Sequence, residues 1–128
     1  KQQGELFVID DAFNSNPVGA KNAVEILSQF NSGNRIIITP GMVELGEIEF
    51  EENKKFGKAI AEAKLDLVIL VGKERARPIE EGILEVIDAP QNVKVVNSLF
   101  EANEIVKNFA KPGDVVLYEN DLPDVYNE

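Results

Sequence analysis

Five short runs rich in Val, Ile and Leu recur along the chain, at residues 6–9, 36–39, 67–71, 93–96 and 115–118. Continuous apolar runs of this length, bounded by polar and turn residues, predict strands buried on both faces. Between them the apolar positions change to a helical period: Ala20, Ala23, Val24 and Leu27; Phe56, Ala59, Ile60 and Ala63; Ile79, Ile83, Val86 and Ile87; and Ala102, Ile105, Val106 and Phe109. Each set forms one stripe on a helix. Asn16-Pro17 supplies a cap and a first-turn proline to the first helix, Ser98 and Glu101 form a capping box before the last, and Pro112-Gly113 stops it. The second helix opens with Glu49, Glu51 and Glu52 and continues with Lys54, Lys55 and Lys58, which follows the macrodipole, offers an i,i+4 pair from Glu51 to Lys55 and reads as a solvated face. Alternation of strand and helix at this spacing predicts an α/β fold, a Rossmann-like, mostly parallel sheet of five or six strands with flanking helices. Residues 1–5 are the candidate for an added edge strand.

Composition narrows the function. At 128 residues the chain fits one domain, 1–128, with no internal repeat, linker or low-complexity segment. It begins at Lys1 and its single methionine is Met42, so we expect a fragment of a longer chain. No apolar run approaches the roughly 18 residues that span a bilayer, and the expected location is the cytoplasm, with no membrane partner. There is no cysteine and no histidine, which removes thiolate and imidazole chemistry, and no metal site is expected within the chain. A net charge of −10 with scattered basic residues argues against nucleic acid as a partner.

Open parallel α/β sheets bind ligands beyond the carboxyl ends of their strands, so the residues after each strand are the candidates. They are Asp10, Asp11, Asn14 and Asn16 after the first, Gly41, Glu44 and Gly46 after the second, Gly72, Lys73 and Arg75 after the third, and Glu119, Asn120 and Asp121 after the fifth. Two adjacent carboxylates can accept ribose hydroxyls or offer hard oxygen to Mg²⁺. They can equally form a turn and cap cluster, because Asp and Asn side chains bond nearby backbone N–H groups. The segment 40–46 has two glycines that permit positive φ, but it lacks the Gly-Lys-Ser/Thr ending of a phosphate-binding P-loop.

Val8-Ile9-Asp10-Asp11-Ala12-Phe13-Asn14-Ser15-Asn16-Pro17 resembles the opening of the third, C-terminal domain of Mur ligases, in particular the branch that adds D-alanyl-D-alanine to UDP-N-acetylmuramoyl tripeptide. Met42-Val43-Glu44-Leu45-Gly46 resembles a second motif of that domain, and Ile69-Leu70-Val71-Gly72 the next strand with its glycine. The resemblance implies a domain that closes over ATP and Mg²⁺ held mainly by a central domain outside this chain, and that positions an incoming amine for attack on an activated carboxylate. The missing N-terminal and central domains and small-molecule substrates are then its partners, and the domain alone is inactive, with no catalytic residue of its own. Carried over, Asp11 and Asp10 meet the ribose, Asn14 and Asn16 border the nucleotide or shape its turn, and Glu44, Lys73, Arg75, Glu119, Asn120 and Asp121 face the substrates. Phe13 stands where the family carries tyrosine, and Pro40-Gly41 replaces a Gly-Asp pair. At the end, Glu119-Asn120-Asp121-Leu122-Pro123-Asp124 replaces a basic Lys-Gly-Ser-Arg region, which puts the identity of the amine in question.

Two other readings stay open. A noncatalytic binding module could keep the fold without the activity, as the acidic ending suggests. A phosphorylated receiver would suit the paired aspartates, but its phosphoacceptor position after the third strand is occupied by Gly72-Lys73.

Overall fold

The computed structural model describes residues 2–3, 6–11 and 16–119, with the backbone alone at Gln2, Gln3 and Asp11. Its elements are β1 (Gln2–Gln3), β2 (Leu6–Asp11), α1 (Pro17–Ser28), β3 (Arg35–Thr39), α2 (Glu49–Glu62, entered through a 3₁₀ turn at Gly46–Ile48), β4 (Leu67–Val71), α3 (Arg77–Val86), β5 (Val93–Val96), α4 (Leu99–Phe109) and β6 (Val115–Glu119). They form one six-stranded sheet in the order β1-β2-β6-β3-β4-β5. All pairings are parallel except β1 with β2, which confirms the expected mostly parallel α/β sheet and its short edge strand.

Period-two alternation along the central strands feeds two cores. Ile37, Val68, Leu70, Val115 and Leu117 meet α1, α2 and α3 through Leu27, Phe56, Ile60 and Ile83. Ile36, Ile38, Ile69, Val71 and Val116 meet α4 through Ala102 and Val106. Each such side chain buried contributes roughly 1.5–3 kcal/mol, so packing of the helices on both faces of the sheet is the main source of stability.

The caps form as the sequence implies. Asn16 Oδ1 accepts from Gly19 N–H at 2.8 Å, and Ser98 Oγ accepts from Glu101 N–H at 3.1 Å. Glu101 reaches back to Asn97 N–H at 2.6 Å, one residue before the cap. Two expectations need correction. Val86 and Phe109, assigned to apolar stripes, are exposed because each is the last residue of its helix. Lys55 pairs with Glu52 at 3.3 Å rather than with Glu51. The helix face is also less open than its charges imply, since Lys54 and Lys58 both reach across to Glu85 on α3, at 2.6 Å and 2.9 Å.

Glycines set the separation of α2 and α3. A Cβ at Gly57 would overlap the Ile79 carbonyl oxygen, and one at Gly82 would overlap the Lys54 carbonyl oxygen. Both obstacles are backbone, so neither can move aside alone. Alanine in a helix gains about 1 kcal/mol over glycine, but overpacking costs up to about 3 kcal/mol. Gly82→Ala is therefore expected to destabilise the fold by about 2 kcal/mol, read as a lower urea midpoint at unchanged slope. A raised midpoint would show that the helices separate freely.

The hydrogen bond and charge of Lys54, with Lys58, hold the Glu85 carboxyl below its usual range, and Glu85 in turn raises Lys54. A lowered folded-state carboxylate stabilises above its unfolded value and loses that contribution as pH falls through the folded value. Glu85→Gln should thus flatten the acid limb of stability across about pH 3–5, most visibly at low salt. An unchanged limb would show that the pair contributes nothing.

Candidate functional site

The carboxyl ends of β2, β6, β3 and β4 stand side by side, so the polar segments after them converge on one edge. Parallel register makes Asp10 the Cα partner of Tyr118 and Asp11 that of Glu119. Asp10 is exposed. Tyr118 is half-buried beside it and donates its hydroxyl to Asn103 Oδ1 at 2.8 Å; burial, then the charge of Asp10, raises its phenol above the usual value. Asp10 thus offers a solvent-facing carboxylate at the edge, suited to accepting hydroxyl hydrogens.

The edge continues through two residues that the sequence reading overlooked. Thr39, the last residue of β3, is fully buried; its Oγ1 donates to Glu119 Oε1 at 2.7 Å and accepts from Gly41 N–H at 3.0 Å. Asn53 on α2 is also buried, and it takes hold of the same loop from below. Its Oδ1 accepts from Met42 N–H at 2.8 Å, while its Nδ2 donates to Met42 O at 3.0 Å and to Glu49 O at 2.9 Å. A Cβ at Gly41, whose φ is 90°, would press on Asn53 Oδ1 at 3.0 Å and on the Ile79 side chain at 3.2 Å, so glycine permits the seating. Glu44 then adopts φ 63°, an uncommon conformation for a residue with a side chain, and stays exposed. A held backbone presenting one strained, exposed carboxylate is the kind of local feature that clusters at ligand sites.

The remaining candidates divide. Asn16 is used to cap α1, the turn-shaping alternative of its two readings. Lys73 and Arg75 are exposed beyond β4, after Gly72, whose φ is 93° and whose N–H donates to Val96 O at 2.8 Å. Glu119 departs from expectation: its side chain lies on the same face as Leu117, toward α1–α3, and is enclosed rather than turned to a substrate. Asn14, Asn120 and Asp121 lie outside the described residues, and so does the side chain of Asp11. A groove of about 380 Å³ between α1 and α2, floored by Met42, Phe56 and Ala59 and rimmed by Pro17, Val18 and Lys21, opens beside the loop. Among the described residues no three acidic side chains gather into a metal set, and no helix is long and apolar enough to cross a membrane.

Comparison with known proteins agrees with this fold. Residues 1–118 match the family described as Mur ligase, glutamate ligase domain. The chain is 29% identical over 120 residues to the UDP-N-acetylmuramoyl-tripeptide–D-alanyl-D-alanine ligase of Bacillus subtilis (strain 168), covering 93% of this chain and 26% of that protein. Among solved structures it resembles MurF ligase from Thermotoga maritima in complex with ADP, with TM-score 0.75, 22% identity and coverage of 94% and 26%. It also resembles MurF from Acinetobacter baumannii, with TM-score 0.74, 25% identity and the same coverage. The chain spans about a quarter of the length of these relatives.

Asn53→Ala removes both partners of the buried Met42 peptide groups and should lower stability by about 2–4 kcal/mol. The amides of residues 42–45 should exchange faster than those of β3 and β4. An unchanged urea midpoint together with unchanged loop exchange would contradict the latch.

Proposed function

We propose a function from one premise: this chain belongs to the Mur ligase family, as its glutamate ligase, C-terminal domain. On that premise it acts as the closing domain of an ATP-dependent amide ligase of peptidoglycan-precursor type in the cytoplasm; what supports this is its likeness to a UDP-N-acetylmuramoyl-tripeptide–D-alanyl-D-alanine ligase. The observation that carries this reading is the convergence of Asp10-Asp11, the held loop 40–46 and the end of β6 at one edge of the sheet.

ATP, when bound in the parent protein, supplies the phosphoryl group that activates a carboxylate toward an amine. The residues of this chain contribute recognition. Asp10 and Asp11 accept the ribose hydroxyls, with Asn16 keeping α1 and its preceding turn in place. Glu44 faces the incoming ammonium, and Lys73 and Arg75 offer cationic partners to a substrate carboxylate. Asn120 and Asp121, following β6, add polar contacts on the amine side. The reading assigns the metal and the phosphates mainly to other parts of the parent chain. Without those parts the domain has no turnover.

In the parent protein, Asp11→Ala should raise KM for ATP about tenfold or more with a smaller change in kcat, because a ribose contact is made equally in ground and transition states. Urea midpoints measured alongside separate this from unfolding. A lowered midpoint with unchanged KM would assign Asp11 to the turn alone. Failure of the parent protein to join any carboxylate to an amine in the presence of ATP would favour a noncatalytic module.

A further inference from the structure

Thr39 sits where two segments of the chain leave the sheet. It ends β3, which leads into the loop carrying Glu44, and its neighbour Glu119 ends β6, which leads into residues 120–124. The Thr39 hydroxyl has one proton, and that proton is committed to Glu119 Oε1 at 2.7 Å, while the lone pairs accept Gly41 N–H at 3.0 Å. All three residues are buried. One hydroxyl oxygen thereby bonds both the start of the loop and the end of β6.

The amino ends of the same two strands are joined differently. There Asp114 Oδ1 accepts from Asn34 N–H at 2.7 Å, and its Oδ2 accepts from Asn34 Nδ2 at 3.0 Å and from Lys111 N–H at 2.8 Å. That carboxylate bonds amides of the adjoining turns and holds β6 to β3 without touching the ligand edge. Its counterpart at the carboxyl end accepts from a hydroxyl that is also part of the loop's seating. Removing the proton donor at Thr39 therefore disturbs both the loop and the end of β6, whereas weakening Asp114 loosens the strand pair as a whole. A buried carboxyl is costly to desolvate, so this contact is read as fixing geometry rather than adding stability.

We infer that Thr39 and Glu119 are positioning residues that couple the loop 40–46 to the end of β6, so that the loop carrying Glu44, on the amine side, is held in register with the sheet edge. The substrate part of this inference rests on the ligase reading; the coupling does not. It also gives Glu119 an internal task in place of direct contact with the amine.

The test compares Thr39→Val, Thr39→Ser and Glu119→Gln in this chain, with Asp114→Asn as a control for general loosening. Thr39→Val should speed exchange at the Gly41 amide about tenfold, as loss of one hydrogen bond implies, and should shift the amide resonances of both 41–45 and 118–119. Thr39→Ser should restore both. Glu119→Gln, which keeps an acceptor, should fall between them and decides the matter if Thr39→Val does not fold. Asp114→Asn should lower the urea midpoint without singling out Gly41. Unchanged Gly41 exchange in Thr39→Val, or a response confined to the loop with none at 118–119, overturns the coupling. In the parent ligase Thr39→Val should raise KM for the amine severalfold and leave KM for ATP in place; unchanged amine KM with a loosened loop overturns the substrate assignment. A wild-type parent that makes no amide refutes the ligase reading, while the exchange data still decide the coupling.

Discussion

The last strand of the chain has to enter between two earlier ones, and the candidate site exists only once it has. β6 pairs with β2 on one side and β3 on the other, so the carboxylates ending β2 and the loop following β3 are brought together through it. Its two ends are fixed by acidic residues that find partners 80 positions away, Asp114 with Asn34 and Glu119 with Thr39. Between them Val115, Val116 and Leu117 are almost wholly buried, feeding one core on each face. Apolar burial supplies the driving force, and the polar ends fix where the strand stops. A slip of one residue would exchange the two faces, turning Val116 toward α1–α3 and Leu117 toward α4.

Much of this was legible from the sequence because burial on both faces writes itself as continuous Val, Ile and Leu. The five runs mark the five parallel strands, with their ends misjudged by a residue or two at Asp11, Arg35 and Glu119. Helix starts were legible at Asn16 and Ser98, where a cap is a local chemical requirement. Strand order was not, because alternation of strand and helix says nothing about which slot the final strand fills. Nor were Gly57 and Gly82, whose role depends on a facing backbone far along the chain.

Of the site, the edge was legible and the orientation of its residues only in part. Glu119 follows Val115 and Leu117 at a spacing of two, so its inward direction was available from strand periodicity alone. Its acidic character suggested a surface instead. Thr39 carries a weaker signal, a hydroxyl ending an apolar strand before Pro40-Gly41, where side chains commonly bond the following backbone. Asn53 gives almost none, since it sits among charged residues whose face is only revealed by packing. The lysines around it look solvated until α3 brings Glu85 within reach.

The functional account assigns this domain recognition and closure, and assigns phosphate and metal chemistry to the rest of a parent ligase. Its edge carries exposed carboxylates on the sheet, with a loop seated by Thr39 and Asn53. The most direct measurement is hydrogen exchange of the parent protein with and without ATP and the amine substrate, followed by mass spectrometry. The account predicts slower exchange at residues 10–11 when ATP is present and at 41–46 when the amine substrate is added, with no change at Asn34 or Asp114 on the far edge. Exchange unchanged at 10–11 and 41–46, or protection appearing only along α4, would contradict it.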